Sequence, residues 1–317
     1  MVDKRYCFGI ITGNRGFAMQ PTTPSAEENR PLDDLPRTEA LRRMLDSQVA
    51  AARCVAGAIA EIDHAADAVA AAVAAGRRLH YAAAGSSGLM ALSDASELAG
   101  TFGIPSKQVR IAMAGGVPVD ARMPGDTEDG TDEARDAASG MKPGDVALVL
   151  SASGTTPFAC AFAESARAKK AKVIAIANVA RAPMLDLADI AISIPTAPEV
   201  IGGSTRLGAG TAQKIALNMI STQAGILLGH VHDGMMVNLV ADNAKLRQRA
   251  SGIVQRIAGV SEDAASNALS DARNDTKRAV LLASGASPEA AERLLAETGG
   301  RLRDCLAALR ANDKTTN

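Results

Sequence analysis

Three short turns carry the residues most suited to chemistry. They are "GSSG" (Gly85–Gly88), "SASGTTP" (Ser151–Pro157) and the opening of "PEVIGGSTRLGAGTAQKIALN" (Pro198–Asn218). The first offers Ser86 and Ser87, the second Ser153, Thr155 and Thr156, and the third Glu199, Ser204, Thr205 and Arg206. Each turn follows an apolar run and opens a helical pattern. Such a turn presents unsatisfied backbone N–H groups, hydroxyl donors and the positive end of a helix dipole, which together suit a phosphate dianion. None of the three reads GxGxxG or GxxxxGK[ST], so dinucleotides and nucleoside triphosphates are poor fits. Three such turns in one chain favour a small phosphorylated ligand.

Carboxylates accompany the turns. Asp94 and Glu97 lie in "SDASELAG", on the helix launched by the first turn. Three residues apart, they are expected to share a face turned away from a core stripe of Leu92, Ala95, Ala99 and Phe102. By themselves they read more readily as two solvated surface acids. Glu199 likewise reads either as a reactive acid or as one that complements a helix dipole. Four cysteines and four histidines are scattered without metal-ligand spacing, which predicts free thiols, a reducing cytoplasm and no metal site.

The elements that must hold these turns are legible in the hydropathy pattern. Runs at 78–84, 109–116, 145–150, 172–178 and 190–195 are continuously apolar, as strands covered on both faces are. Helical patterns separate them, including 88–99, 157–170 and 208–228, so the chain is expected to be α/β, a doubly wound parallel sheet of about five strands flanked by helices. Ligands of such sheets bind beyond the carboxyl ends of the strands, where the three turns fall. N-terminal helices from 37 and another helix near 238–257 complete a domain over 37–258. Residues 1–36 are expected to be a disordered or arm-like extension, with Met19 an alternative start to Met1. Over 259–317 a weak repeat, "SEDAASNALSDARNDTKRAVLLA" against "SPEAAERLLAETGGRLRDCLAAL", predicts a small helical, UBA/CUE-like module. Net charge is −1 and aromatics make up 2% with no Trp, so no nucleic-acid surface is expected. Nor is a membrane span, because no long uninterrupted apolar stretch occurs.

The blocks "GSSG…SDASELAGTFGIP", "SASGTTPF" and "PEVIGGSTRLGAGTAQKIALNMIST" resemble the N-acetylmuramic acid 6-phosphate etherases, of the sugar-isomerase (SIS) domain group. The likeness runs from about Leu32 to the C-terminus, and the glucokinase regulatory protein is a more distant relative. The resemblance implies a cytoplasmic lyase of cell-wall recycling with no cofactor. It would be a homodimer whose sites lie near the subunit interface. It would split the D-lactyl ether from C3 of the sugar phosphate, giving N-acetylglucosamine 6-phosphate and D-lactate. Carried over by motif, Glu97 takes acid/base duty at the ether. Ser86, Ser87, Ser153 and Thr156 match the phosphate turns, and Ser204, Thr205 and Arg206 match the third block. In that block Glu199 is expected to be the second catalytic acid/base, since an acid at its place serves as base in sugar-phosphate isomerases of the same group.

The chain departs from the family pattern at four places. Leu89, Thr155 and Gly208 stand where the pattern has cations, and Gly125 stands where it has a second glutamate, with Asp126 or Glu128 as nearby substitutes. Those departures keep two alternatives open: an isomerase or deaminase acting on a different sugar phosphate, and a non-catalytic sugar-phosphate regulator.

Overall fold

The structure is a computed structural model that describes Arg30–Thr315 except Val240 and Asp242. The expected disorder before Arg30 and the choice between Met1 and Met19 lie outside the described residues. Two compact units divide between Arg43 and Met44. In the first, a 3-10 turn at Leu32–Asp34 leads into α1 (Arg37–Cys54), which runs across the division. The Arg30 guanidinium pairs with Asp34 at 3.2 Å, and Arg43 donates to the Arg30 carbonyl at 2.6 Å.

The second unit alternates helices and strands. In chain order these are α2 (Ile59–Ala74), β1 (Leu79–Ala83), α3 (Gly85–Phe102), β2 (Val109–Met113), α4 (Thr131–Ala138) and β3 (Val146–Ser151). Next come α5 (Pro157–Ala168), β4 (Lys172–Ala177), α6 (Pro183–Asp186), β5 (Ile190–Ser193) and α7 (Gly208–Leu227). A small hairpin, β6 (Val231–His232) and β7 (Met235–Met236), precedes α8 (Ala244–Ala258), α9 (Glu262–Asp271), α10 (Thr276–Ala283), α11 (Pro288–Glu297) and α12 (Leu302–Thr315).

The five main strands form one parallel sheet in the order β2-β1-β3-β4-β5. Strand alternation divides the core into two layers. Tyr81, Ala83, Leu148 and Leu150 pack with α2, α3 and α7, whereas Ala82, Ala147, Val149 and Val173 pack with α4, α5 and α6. All six residues of β3 are buried, which is why its sequence is apolar without alternation. Burying each large apolar side chain here contributes about 1.5–3 kcal/mol. The chain leaves β1 for one face through α3 and leaves β3 for the other through α5. The strand order therefore reverses between β1 and β3, and a crevice opens at their carboxyl ends.

Two helix starts differ from the sequence expectation. The helix after the first turn begins at Gly85 rather than near Gly88, so both serines sit inside its first turn. Gly85 makes the sharp entry at φ +53°, a region that side-chain-bearing residues avoid. The helix expected from 238 begins at Ala244, because the Asn243 side chain accepts the Leu246 N–H at 3.0 Å and caps it there.

The repeat in the tail becomes two helical hairpins, α9–α10 and α11–α12. Ser261 and Ser287 cap equivalent helices through the Ala264 and Ala290 N–H groups. His230, just after α7, marks where this region meets the sheet-bearing one. Burial, and then the Lys277 ammonium of α10, lower its pKa from 6.5 to about 4. Between those values the unfolded chain binds a proton that the folded chain does not, so stability falls as pH drops through that window. His230→Gln is expected to flatten this part of the curve of Tm against pH, measured by differential scanning calorimetry. An unchanged slope would show that His230 does not couple folding to protons.

Candidate functional site

The first two turns flank the crevice where the strand order reverses. Ser87 is buried and Ser86 half-buried at the start of α3, whose N-terminus no side chain caps. The N-cap residue, Ala84, therefore offers its first-turn donors no side-chain acceptor. Across the crevice, the second turn is tied together by hydroxyls. Ser151 Oγ accepts the Gly154 N–H at 3.0 Å and lies 2.8 Å from Thr156 Oγ1. Ser153 Oγ accepts the Thr155 N–H at 3.2 Å and the Thr155 hydroxyl at 2.9 Å. Ser153 and Thr155 are exposed and Thr156 is half-buried, so the turn offers hydroxyls to an incoming group. The buried hub, Ser151, was not among the sequence candidates. Its only sequence signal is a hydroxyl that closes an otherwise apolar strand.

A long connection between β2 and α4 reaches this crevice. The Glu128 carbonyl accepts the Phe158 N–H at 2.9 Å, in the first turn of α5. Its carboxylate extends the other way: Oε1 lies 2.7 Å from where a Cβ on Gly85 would project. One residue thus touches the starts of both helices. The two neighbouring candidates differ. Asp126 is exposed at φ +55°, and Gly125 has open space around it.

The third turn leads into α7. Both Glu199 oxygens accept backbone N–H groups, from Gly208 and Ala209, each at 2.9 Å. This arrangement caps the helix, offsetting two of its unpaired N-terminal donors. Asn178, just beyond β4, donates to the Ala209 carbonyl at 3.3 Å and accepts from Gln213 at 2.9 Å, anchoring α7 over the sheet. Ser204 is half-buried, and Thr205 and Arg206 are exposed on the turn. Glu199→Ala is expected to cost about 1–2 kcal/mol of stability, read as a lower urea midpoint at unchanged m-value.

Glu97 stands apart from these turns. It lies twelve residues beyond Gly85 on α3, about 18 Å along the helix axis at ~1.5 Å per residue. It lines a cavity of about 230 Å³ between α3 and α7, together with Asp94, Lys214, Asn218, Ser221 and Thr222. Here the structure corrects the expectation for Asp94. It is buried, not solvated, and accepts three hydrogen bonds: from the Tyr81 hydroxyl at 2.9 Å, Asn218 Nδ2 at 2.8 Å and Ser221 Oγ at 2.9 Å. Burial, and then the Asp94 charge, push the Tyr81 hydroxyl well above its usual pKa of 10, so it remains a donor. The core stripe of α3 is Ala91, Ala95, Leu98 and Phe102, displaced by one residue from the expectation at two positions, which turns Asp94 inward. Lys214, Asn218 and Ser221 were not singled out from sequence, because Asn218 and Ser221 meet Asp94 across more than a hundred residues and Lys214 joins them only through Asn218.

Among the described residues no cluster of three or more His, Cys, Asp or Glu could hold a metal ion, and no helix is long and apolar enough to cross a membrane. Residues 47–178 match the SIS domain family. The chain is 39% identical over 256 residues to the N-acetylmuramic acid 6-phosphate etherase of Symbiobacterium thermophilum, covering 80% of this chain and 85% of that one. It is 38% identical over 278 residues to the etherase of the same name from Deinococcus radiodurans, covering 87% and 91% of the two chains. The corresponding protein of Cronobacter sakazakii is also 38% identical over 278 residues, covering 87% and 94%. Identity at this level across most of both chains means that this protein belongs to the N-acetylmuramic acid 6-phosphate etherase family.

Proposed function

We propose that this chain is a carbon–oxygen lyase that cleaves the D-lactyl ether of N-acetylmuramic acid 6-phosphate in the cytoplasm. The reading rests on 39% identity, across 80% of the chain, to a relative named for that activity. The serine and threonine turns at the starts of α3 and α5 take the phosphate, and a glutamate pair does the proton chemistry. In the open-chain sugar the C2 proton is α to the C1 aldehyde and can be removed by a carboxylate. The C3–O bond to the lactyl group then breaks, and an acid protonates the departing oxygen, releasing D-lactate. Water adds across the resulting C2–C3 double bond, returning a proton to C2 and a hydroxyl to C3 to give N-acetylglucosamine 6-phosphate. A carboxylate can serve as base and its conjugate acid as proton donor in such a sequence.

Glu97 and Glu128 are the two carboxylates assigned here. Glu128 stands in for the glutamate that the family pattern has at Gly125, since its carboxylate lies against the first turn while its carbonyl meets the second. Glu97, about 18 Å along α3 from that turn, is too distant to act on a sugar whose phosphate the same chain holds. The working site is therefore composite. One protomer supplies the turns and Glu128 and its partner supplies Glu97, which requires a homodimer.

The decisive experiment is D-lactate release from N-acetylmuramic acid 6-phosphate by the purified protein. Stoichiometric lactate and N-acetylglucosamine 6-phosphate are expected. Binding of the sugar phosphate without release would overturn the lyase reading in favour of a regulator.

A further inference from the structure

The cavity between α3 and α7 contains more than Glu97. Lys214 lines it as well, yet the two do not form an ion pair. Instead the Lys214 ammonium donates to Asn218 Oδ1. Asn218 in turn donates to the buried Asp94, which is also held by Tyr81 and Ser221. A chain of hydrogen bonds thus runs from Tyr81 of β1 to a cation at the cavity wall. Lysine carries large side-chain entropy, and an exposed lysine gains little from ordering unless something is there to meet it. The volume, about 230 Å³, is below the usual 300–1,000 Å³ of pockets that enclose a whole ligand. It suits one arm of a ligand, and a cation on its wall suits an acidic arm.

We infer that Lys214, positioned by Asn218 and Asp94, binds the carboxylate of the lactyl arm. This assignment rests on the etherase reading given above. The lactyl carboxylate is the group that distinguishes the substrate from its sugar product, and nothing in the phosphate turns recognises it. Bringing the ether oxygen within reach of Glu97 also brings that carboxylate close to Glu97. Two carboxylates side by side in a partly dry cavity repel each other, and a cation between them offsets the repulsion. Lys214 thereby selects the acidic ether over other 3-O-alkyl sugars, and it places the bond to be cleaved beside Glu97.

The test compares N-acetylmuramic acid 6-phosphate with its lactyl carboxamide, which keeps the shape and loses the charge. Wild type is expected to cleave the acid with a kcat/KM roughly 10- to 100-fold above that of the amide, the range for a hydrogen bond to a charged group. In Lys214→Met the acid should fall by that factor and the amide by far less, so that the preference disappears. Lys214→Arg should keep the preference for the acid. If Lys214→Met lowers acid and amide equally, Lys214 is structural and the assignment fails while the etherase reading stands. If wild type releases no lactate from the acid at all, the etherase reading falls and takes the assignment with it.

Discussion

Glu97→Gln should lower D-lactate release by roughly 10²–10⁴-fold while leaving sugar-phosphate binding intact, because it removes proton transfer and little else. Glutamine keeps the length and shape of glutamate, and Glu97 is exposed with no ion pair to lose among the described residues. The fold should not notice the change, and the urea midpoint of the variant should match wild type. The assay is stopped-time lactate measurement, paired with calorimetric titration of N-acetylglucosamine 6-phosphate. If turnover persists at more than a tenth of the wild-type rate, Glu97 is neither the acid nor the base.

Glu128→Gln should lose activity on the same scale, whereas Asp126→Asn should leave it within about twofold. The contrast follows from their positions: one carboxylate lies against the start of α3, and the other is an exposed loop group at positive φ. The two inactive glutamate variants also report on how the site is assembled. In a composite site, a heterodimer of Glu97→Gln with Glu128→Gln has one site carrying both changes and one carrying neither. Mixing and re-equilibrating the two proteins should then restore about a quarter of wild-type activity, since half the dimers are mixed and each mixed dimer has one intact site. A mixture that stays inactive, with subunit exchange verified by mass spectrometry, would place both glutamates in one chain's site and contradict the ~18 Å separation argued from helix geometry.

Much of this molecule is written in local pattern. The five apolar runs, the doubly wound class and the serine-capped repeat of the tail follow from side-chain periodicity and turn chemistry, which need no long-range information. The residue types at the first two turns also suggest where an anion would be held, because a helix start with free N–H groups and hydroxyls favours one. What a carboxylate does could not be read in this way, since that depends on which groups the fold brings beside it. Asp94 and Glu97 are three residues apart on one helix, yet one is a buried acceptor of three hydrogen bonds and the other faces a cavity. A shift of the core stripe by a single residue separates them, and that shift is set by how α3 packs on Tyr81 and α7. Glu199, equally plausible from sequence as a reactive acid, spends both oxygens on the backbone of α7. Glu128, by contrast, reaches the crevice only because a long connection folds back across two helix starts. Sequence determined which elements form and which chemistry they can offer. Only tertiary packing decided which of five candidate acids lie beside a cation, a hydroxyl-rich turn or a helix end, because those neighbours become close only after folding.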